Sequence, residues 1–119
     1  MGERLLIVDD HAGFRAQARG LLQADGFEVV GEAADGSSVM SAVRRLRPDL
    51  VLLDVHLPDI DGCEVARRLA AEEHPPAVVL ISTREAADFG TRLDGCGARG
   101  YLTKSRLSRA ALEDLLARG

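Results

Sequence analysis

The sequence predicts an α/β protein, a doubly wound parallel sheet of five strands with helices on both faces. Three observations predict it. The runs Leu5-Leu6-Ile7-Val8, Leu50-Val51-Leu52-Leu53 and Ala77-Val78-Val79-Leu80-Ile81 are apolar throughout, and strands apolar on both faces belong inside a parallel sheet covered from both sides. Between the strands, apolar residues recur at helical spacing. The strand–helix order repeats five times within 119 residues, a single domain's length, and right-handed crossovers then wind the units into one sheet.

In chain order, the first strand is Leu5–Val8, and the first helix shows Phe14, Ala18, Leu21 and Leu22 on one face. The second strand, around Phe27–Gly31, mixes in glycine and charge, as edge strands do. Asp35-Gly36-Ser37-Ser38 supplies N-cap chemistry for a second helix carrying Val39, Val43 and Leu46, and Pro48 follows its end. Past the third strand, Val65, Ala66 and Leu69 mark a third helix with His74 at its end, on the surface. The segment Arg84–Arg99 should hold a fourth helix and supports it poorly. Gly90, Gly95 and Gly97 each cost a helix interior about 0.8–1 kcal/mol relative to alanine, and Ala86, Ala87, Phe89 and Leu93 offer little burial in return. A short helix followed by a loop, or a mobile segment, is expected there. Arg99–Leu102 reads as a second edge strand, and Leu107, Ala111, Leu112, Leu115 and Leu116 as the last helix. Central places go to the three fully apolar strands. The order is therefore 2-1-3-4-5, the flavodoxin-like (βα)5 arrangement with its switch point between strands 1 and 3.

Composition narrows the function. Apolar residues make up 46% and charged residues 29% of the chain, and a chain of this size buries roughly two thirds of its surface without a disulfide or metal staple. The longest apolar runs are too short to cross a bilayer, and Met-Gly-Glu-Arg followed by four apolar residues is too short for a signal peptide. A net charge of −4 argues against direct nucleic-acid binding. Cys63 and Cys96 match no metal spacing and read as packing or surface thiols, so the reducing cytoplasm is the expected compartment. Arg44-Arg45-Arg47 and Arg67-Arg68 read as solvated helix faces. Among the 15 basic residues all but Lys104 are arginine.

Ligands of such sheets bind beyond the carboxyl ends of the strands. Those positions hold Asp9-Asp10, Asp54, Ser82-Thr83 and Thr103-Lys104. Crowded carboxylates raise one another's pKa unless a cation sits among them. Magnesium suits the set, because it takes one or two carboxylates, keeps waters and shares its remaining positions with phosphate oxygens. A carboxylate beside it can attack phosphorus to give an aspartyl phosphate. The transferring group then needs a positive charge and a donor around its oxygens, which Lys104 and Ser82 supply.

Ile7-Val8-Asp9-Asp10, Asp49–Asp54 with Leu57-Pro58 and Asp61-Gly62, Leu80-Ile81-Ser82 and Gly100-Tyr101-Leu102-Thr103-Lys104 together resemble the receiver domain of two-component response regulators, over Arg4–Ala117. The resemblance implies that Asp54 accepts a phosphoryl group from the phosphohistidine of a sensor histidine kinase or a phosphotransfer protein. It implies that Asp10 and Asp54 hold Mg2+ with the backbone carbonyl of His56, Asp9 acting mainly through a metal-bound water. Ser82 would bond the phosphoryl oxygen, Lys104 would pair with it, and Ser82 with Tyr101 would switch the face made by the fourth helix, the fifth strand and the last helix. A phosphorylation-dependent homodimer is a further expectation. The Asp9-Asp10-His11 opening and Val30-Gly31-Glu32-Ala33 look most like regulators that carry a helix-turn-helix output domain. Residues 1–119 read as a single receiver with no such domain, binding an output partner instead.

The family pattern is broken in two places. Ser105 follows Lys104 where the family has proline, often cis; a cis bond before a non-proline residue costs about 2.5–4 kcal/mol. Thr83 stands where a smaller residue is usual, and with His56 and Arg84 it flanks the mouth of the site, where these three side chains would set phosphoryl lifetime. Two other functions compete with the phosphorylated signalling module. A degenerate receiver would bind partners without phosphorylation, and an aspartyl-phosphate phosphohydrolase would turn over a separate substrate. Hydrolases of the haloacid-dehalogenase type place Asp-x-Asp after the first strand, whereas here the nucleophile follows the third. Flavin binding fails because Asp9–Phe14 lacks a Ser/Thr/Gly-rich phosphate loop.

Overall fold

The computed structural model of the chain describes residues 3–83 and 95–118. Arg84 and most of the segment expected to carry the fourth helix lie outside the described residues. The strands are β1 (Arg4–Val8), β2 (Glu28–Ala33), β3 (Leu50–Asp54), β4 (Ala77–Ser82) and β5 (Gly100–Thr103). The described helices are α1 (Ala12–Ala24), α2 (Val39–Leu46), α3 (Gly62–Ala70) and α4 (Arg109–Arg118). All strand pairs are parallel, and the order is β2-β1-β3-β4-β5, as the apolar runs predict.

Side chains of a strand alternate between faces, and here the alternation divides the core in two. Leu6, Val8, Val51, Leu53, Val78 and Leu80 point to the face covered by α2 and α3, where they meet Val39, Val43, Val65 and Leu69. Leu5, Ile7, Leu50, Leu52, Val79 and Ile81 point to the other, where Ala18 and Leu22 of α1 and Leu112 of α4 cover them. Burial of each such leucine or isoleucine stabilises the fold by about 1.5–3 kcal/mol. Leu21, expected on the apolar face of the first helix, is instead its outer edge and 42% exposed, because the narrow α1 contact is filled by Ala18 and Leu22.

Helix starts depend on polar chemistry from farther away than the sequence suggests. Ser38 makes no capping bond of its own at α2. Asp35 Oδ1 accepts from the Ser38 amide at 3.0 Å, while Asp59, from the loop after β3, accepts from the amides of Gly36 and Ser37 at 2.8 and 2.9 Å. At the other end Arg47 takes the left-handed conformation, φ 50°, with its N–H on the Val43 carbonyl. Asp61 caps α3 by accepting from the Cys63 amide at 2.8 Å. That helix ends at Ala70, so His74 lies in the turn beyond it rather than at its end, and is exposed as expected.

Cys63 and Cys96 are both buried against the α3 face, with their sulfurs 3.2 Å apart and no disulfide between them. Burial, then the neighbouring thiol, pushes Cys63 up to about 12. They are packing thiols, and neither is at the surface. Among the described residues every peptide bond is trans, Lys104–Ser105 included, and Lys104–Arg106 forms a single 3-10 turn between β5 and α4. No described helix is long and apolar enough to cross a membrane.

Candidate functional site

Parallel pairing brings the carboxyl ends of β1, β3, β4 and β5 to one edge of the sheet, and the polar residues that follow them meet there. Val8 pairs with Leu53, Asp54 with Ile81, and Ser82 with Thr103. Asp9 is fully buried directly after β1. Its own amide donates to the Ala33 carbonyl at 3.0 Å, and Arg15 of α1 donates to its carbonyl oxygen. Asp9 Oδ1 accepts from the His11 amide at 2.9 Å. Asp9 Oδ2 receives no hydrogen bond of acceptable geometry, yet the Lys104 ammonium stands 2.6 Å away. The contact is therefore an ion pair, and it neutralises the carboxylate.

Asp54, the last residue of β3, is 3% exposed. Its Oδ1 accepts from the His56 amide at 3.0 Å, and its Oδ2 lies 3.6 Å from Lys104 Nζ. Burial pushes its carboxyl above the usual carboxylate range; the His56 N–H opposes this, the Asp9 charge adds to it, Lys104 opposes it and Asp10 adds again. Asp10 is exposed, with the His11 imidazole Nδ1 3.1 Å from its Oδ1. One ligand atom each from Asp9, Asp10, His11 and Asp54 fall within 4.8 Å of one another. Lys104 is held from a third side by Phe14 of α1, whose ring centroid is 4.5 Å from the ammonium, a distance for favourable cation–π contact.

Hard oxygen donors in this number and proximity fit a magnesium ion. Three carboxylates, two of them buried, converge on one ammonium, and a divalent cation would offset the excess negative charge. Ser82 ends β4 buried, level with the cluster. Tyr101 lies opposite Leu80 in β5, half-buried against the α3-side core. Thr83 and the His56 side chain are exposed at the rim.

The response regulator receiver domain family matches residues 5–117. The chain belongs to this family. The receiver is 39% identical over 114 residues to the response regulator GacA of Pseudomonas aeruginosa, which covers 95% of the chain and 51% of GacA. It is 36% identical over 104 residues to BvgA of Bordetella pertussis, covering 87% of the chain and 50% of that protein. The chain thus spans about half the length of the curated relatives it matches. Among solved structures, the signal receiver domain of NarL from Mycobacterium tuberculosis superposes with a TM-score of 0.85 at 32% identity, covering 98% of each chain.

Of the residues singled out from the sequence, Asp9, Asp10, Asp54 and Lys104 come together, Ser82 lies at the same sheet edge with Thr83 and His56 exposed nearby, and Tyr101 lies two residues before the end of β5, packed against the α3-side core. Two residues that brace the receiver's site carry no such signal. Phe14 reads as a packing residue of the first helix, yet its ring reaches back to Lys104 at the strand end. Arg15, one residue on, donates to the Asp9 carbonyl. A strand-end acid or lysine is visible to pattern reading; a residue that braces a loop from another element carries no local signal.

Proposed function

We propose that this receiver is phosphorylated on Asp54 by a sensor histidine kinase or a phosphotransfer protein, and that the modification switches a partner-binding face. One observation carries the reading. Asp54 is buried at the end of a central strand, with one oxygen engaged by a backbone amide and the other facing Lys104 beside two further carboxylates.

Asp10, Asp54 and the backbone carbonyl of His56 would hold Mg2+, with Asp9 acting through a bound water. The ion supplies positive charge to the phosphoryl oxygens during transfer. Asp54 attacks phosphorus through a carboxylate oxygen, the bond from phosphorus to the donor's imidazole nitrogen breaks, and the imidazole leaves. Lys104 moves from Asp9, its resting partner, towards the added charge, and Phe14 keeps the ammonium from turning out to solvent. Ser82 donates its hydroxyl to a phosphoryl oxygen. That movement makes room for Tyr101 to turn inward and changes the face formed by the segment before β5, β5 itself and α4. Thr83 and His56 at the rim, with Arg84, govern how readily water reaches the phosphoryl group. The module turns over no separate substrate, works in the cytoplasm, and signals through an output partner or a phosphorylation-dependent homodimer without binding nucleic acid or membrane through these residues. Residues 1–119 act as one unit.

Intact mass after incubation with a small phosphodonor and Mg2+ tests this. One phosphoryl group should add, and it should be lost with chelator or in Asp54→Asn. No addition to the wild-type chain would favour the phosphorylation-independent interaction module; undiminished labelling of Asp54→Asn would overturn the acceptor assignment.

A further inference from the structure

We infer that His11 is a metal ligand, and that it gives the acidic pocket a preference for a divalent first-row transition metal over magnesium. The inference rests on the metal reading above and goes beyond it, since hard oxygen donors alone give no nitrogen ligand.

The distances support a shared ion. His11 Nδ1 lies 3.1 Å from Asp10 Oδ1 and 3.4 Å from Asp9 Oδ1. Neighbouring ligands on an octahedral ion with bonds near 2.1 Å stand ~3 Å apart. The imidazole nitrogen therefore stands at ligand spacing from a carboxylate oxygen of Asp10, and one ligand atom each from Asp9, Asp10, His11 and Asp54 lie within 4.8 Å of one another. The ring can adjust at little cost. Its backbone is pinned at the start of α1 by the His11 amide on Asp9 Oδ1, whereas its side chain is 73% exposed. The pocket's own ammonium does not compete for this position. Lys104 sits on Asp9 Oδ2, the other oxygen of that carboxylate.

Ligand chemistry then sets the preference. Magnesium dehydrates reluctantly and gains little from replacing a water with imidazole. A nitrogen ligand favours first-row transition ions over magnesium, with affinity lowest at manganese, rising to copper and falling again at zinc. The rival explanation of the same distances is a charged imidazolium paired with Asp10. The two make opposite predictions. An ion pair would compete with the metal, so its removal would tighten metal binding; a ligand's removal would weaken it.

The test uses the full chain as wild type, His11→Ala, His74→Ala and Asp10→Asn, titrated separately with Mn2+ and Mg2+. Loss of an outer-shell partner already costs metal sites about 10–100-fold, so His11→Ala should weaken Mn2+ binding about tenfold or more while Mg2+ binding changes by no more than about twofold. His74 is exposed at the opposite sheet edge and serves as the control. Pulsed EPR of the Mn2+ form, with 15N-labelled histidine, should show nitrogen coupling in wild type and His74→Ala and none in His11→Ala. Unchanged or tighter Mn2+ binding in His11→Ala, or persistent nitrogen coupling there, would overturn the assignment. If neither ion binds wild type, or if Asp10→Asn binds both unchanged, the metal reading itself falls and this inference with it.

Discussion

Asp54 carries a charge that its surroundings disfavour. Burial is the largest cause and the neighbouring acids add to it, so its pKa in the folded chain lies above its value in the unfolded one. A group raised in this way favours folding while protonated in both states, and that contribution is lost as pH rises through the folded-state value. Without divalent ions, Asp54→Asn should therefore melt higher than wild type at pH 7. The gap should close as pH falls towards ~4, where unfolded aspartate takes up its proton. Thermal unfolding followed by circular dichroism across this range checks it; a variant that is less stable at neutral pH would refute it. Glu32 has the opposite sign: its hydrogen bond to Arg19 leads the causes that hold its carboxyl low, so its contribution is lost on acidification. Lys104 yields a second prediction. It touches Asp9, Asp54 and the Phe14 ring at once, a niche for a compact ammonium and not for a planar guanidinium. Lys104→Arg should keep the fold and lose most of its affinity for a fluoroberyllate phosphoryl mimic, measured by calorimetry; wild-type affinity would remove Lys104 from the proposed role. These residues were legible because the ends of parallel strands converge whatever the loops do. Phe14 and Arg15 were not, since their partners are set by how α1 lies on the sheet.

The junction between β3 and α3 is closely packed beneath the site. The Gly62 amide donates to the Val55 carbonyl at 2.9 Å. A Cβ at Gly62 would run into the Asp54 carbonyl oxygen and sit 2.8 Å from the Val55 Cα. Both obstacles are backbone, so the helix must move if a methyl is added. Gly62→Ala should cost about 1–3 kcal/mol, the range for overpacking, and should also slow phosphorylation, because the displaced backbone carries Asp54. Urea unfolding together with labelling rates would show both, and wild-type values for both would contradict the packing argument. Strand and helix identities were readable from periodicity, while several ends were not. β2 runs to Ala33, beyond the expected Gly31, because its last residues pair with Ile7 and Val8. The cap of α2 depends on Asp59, twenty-odd residues downstream, and no window along the chain contains both partners.

At the scale of the whole molecule, strand order and the convergence of the site follow from the three fully apolar runs, which is why both could be read so early. What could not be read is how each helix rotates about its axis, as Leu21 illustrates. The two faces of the sheet hold separate cores, and substitutions without shared partners add to within about 0.3–0.5 kcal/mol. Ile7→Val on the α1 side should cost roughly 1 kcal/mol and Val43→Ala on the α2 side about 2 kcal/mol, and the two should sum when combined. Coupling above about 1 kcal/mol in denaturant melts would mean that the sheet transmits strain between its faces.

That separation has a consequence for descent as well as for folding. A lineage of such chains can change the residues on one face, and with them the partners it greets, without renegotiating the packing of the other. The acidic pocket, built at the seam where both faces end, is a region that neither history can alter alone.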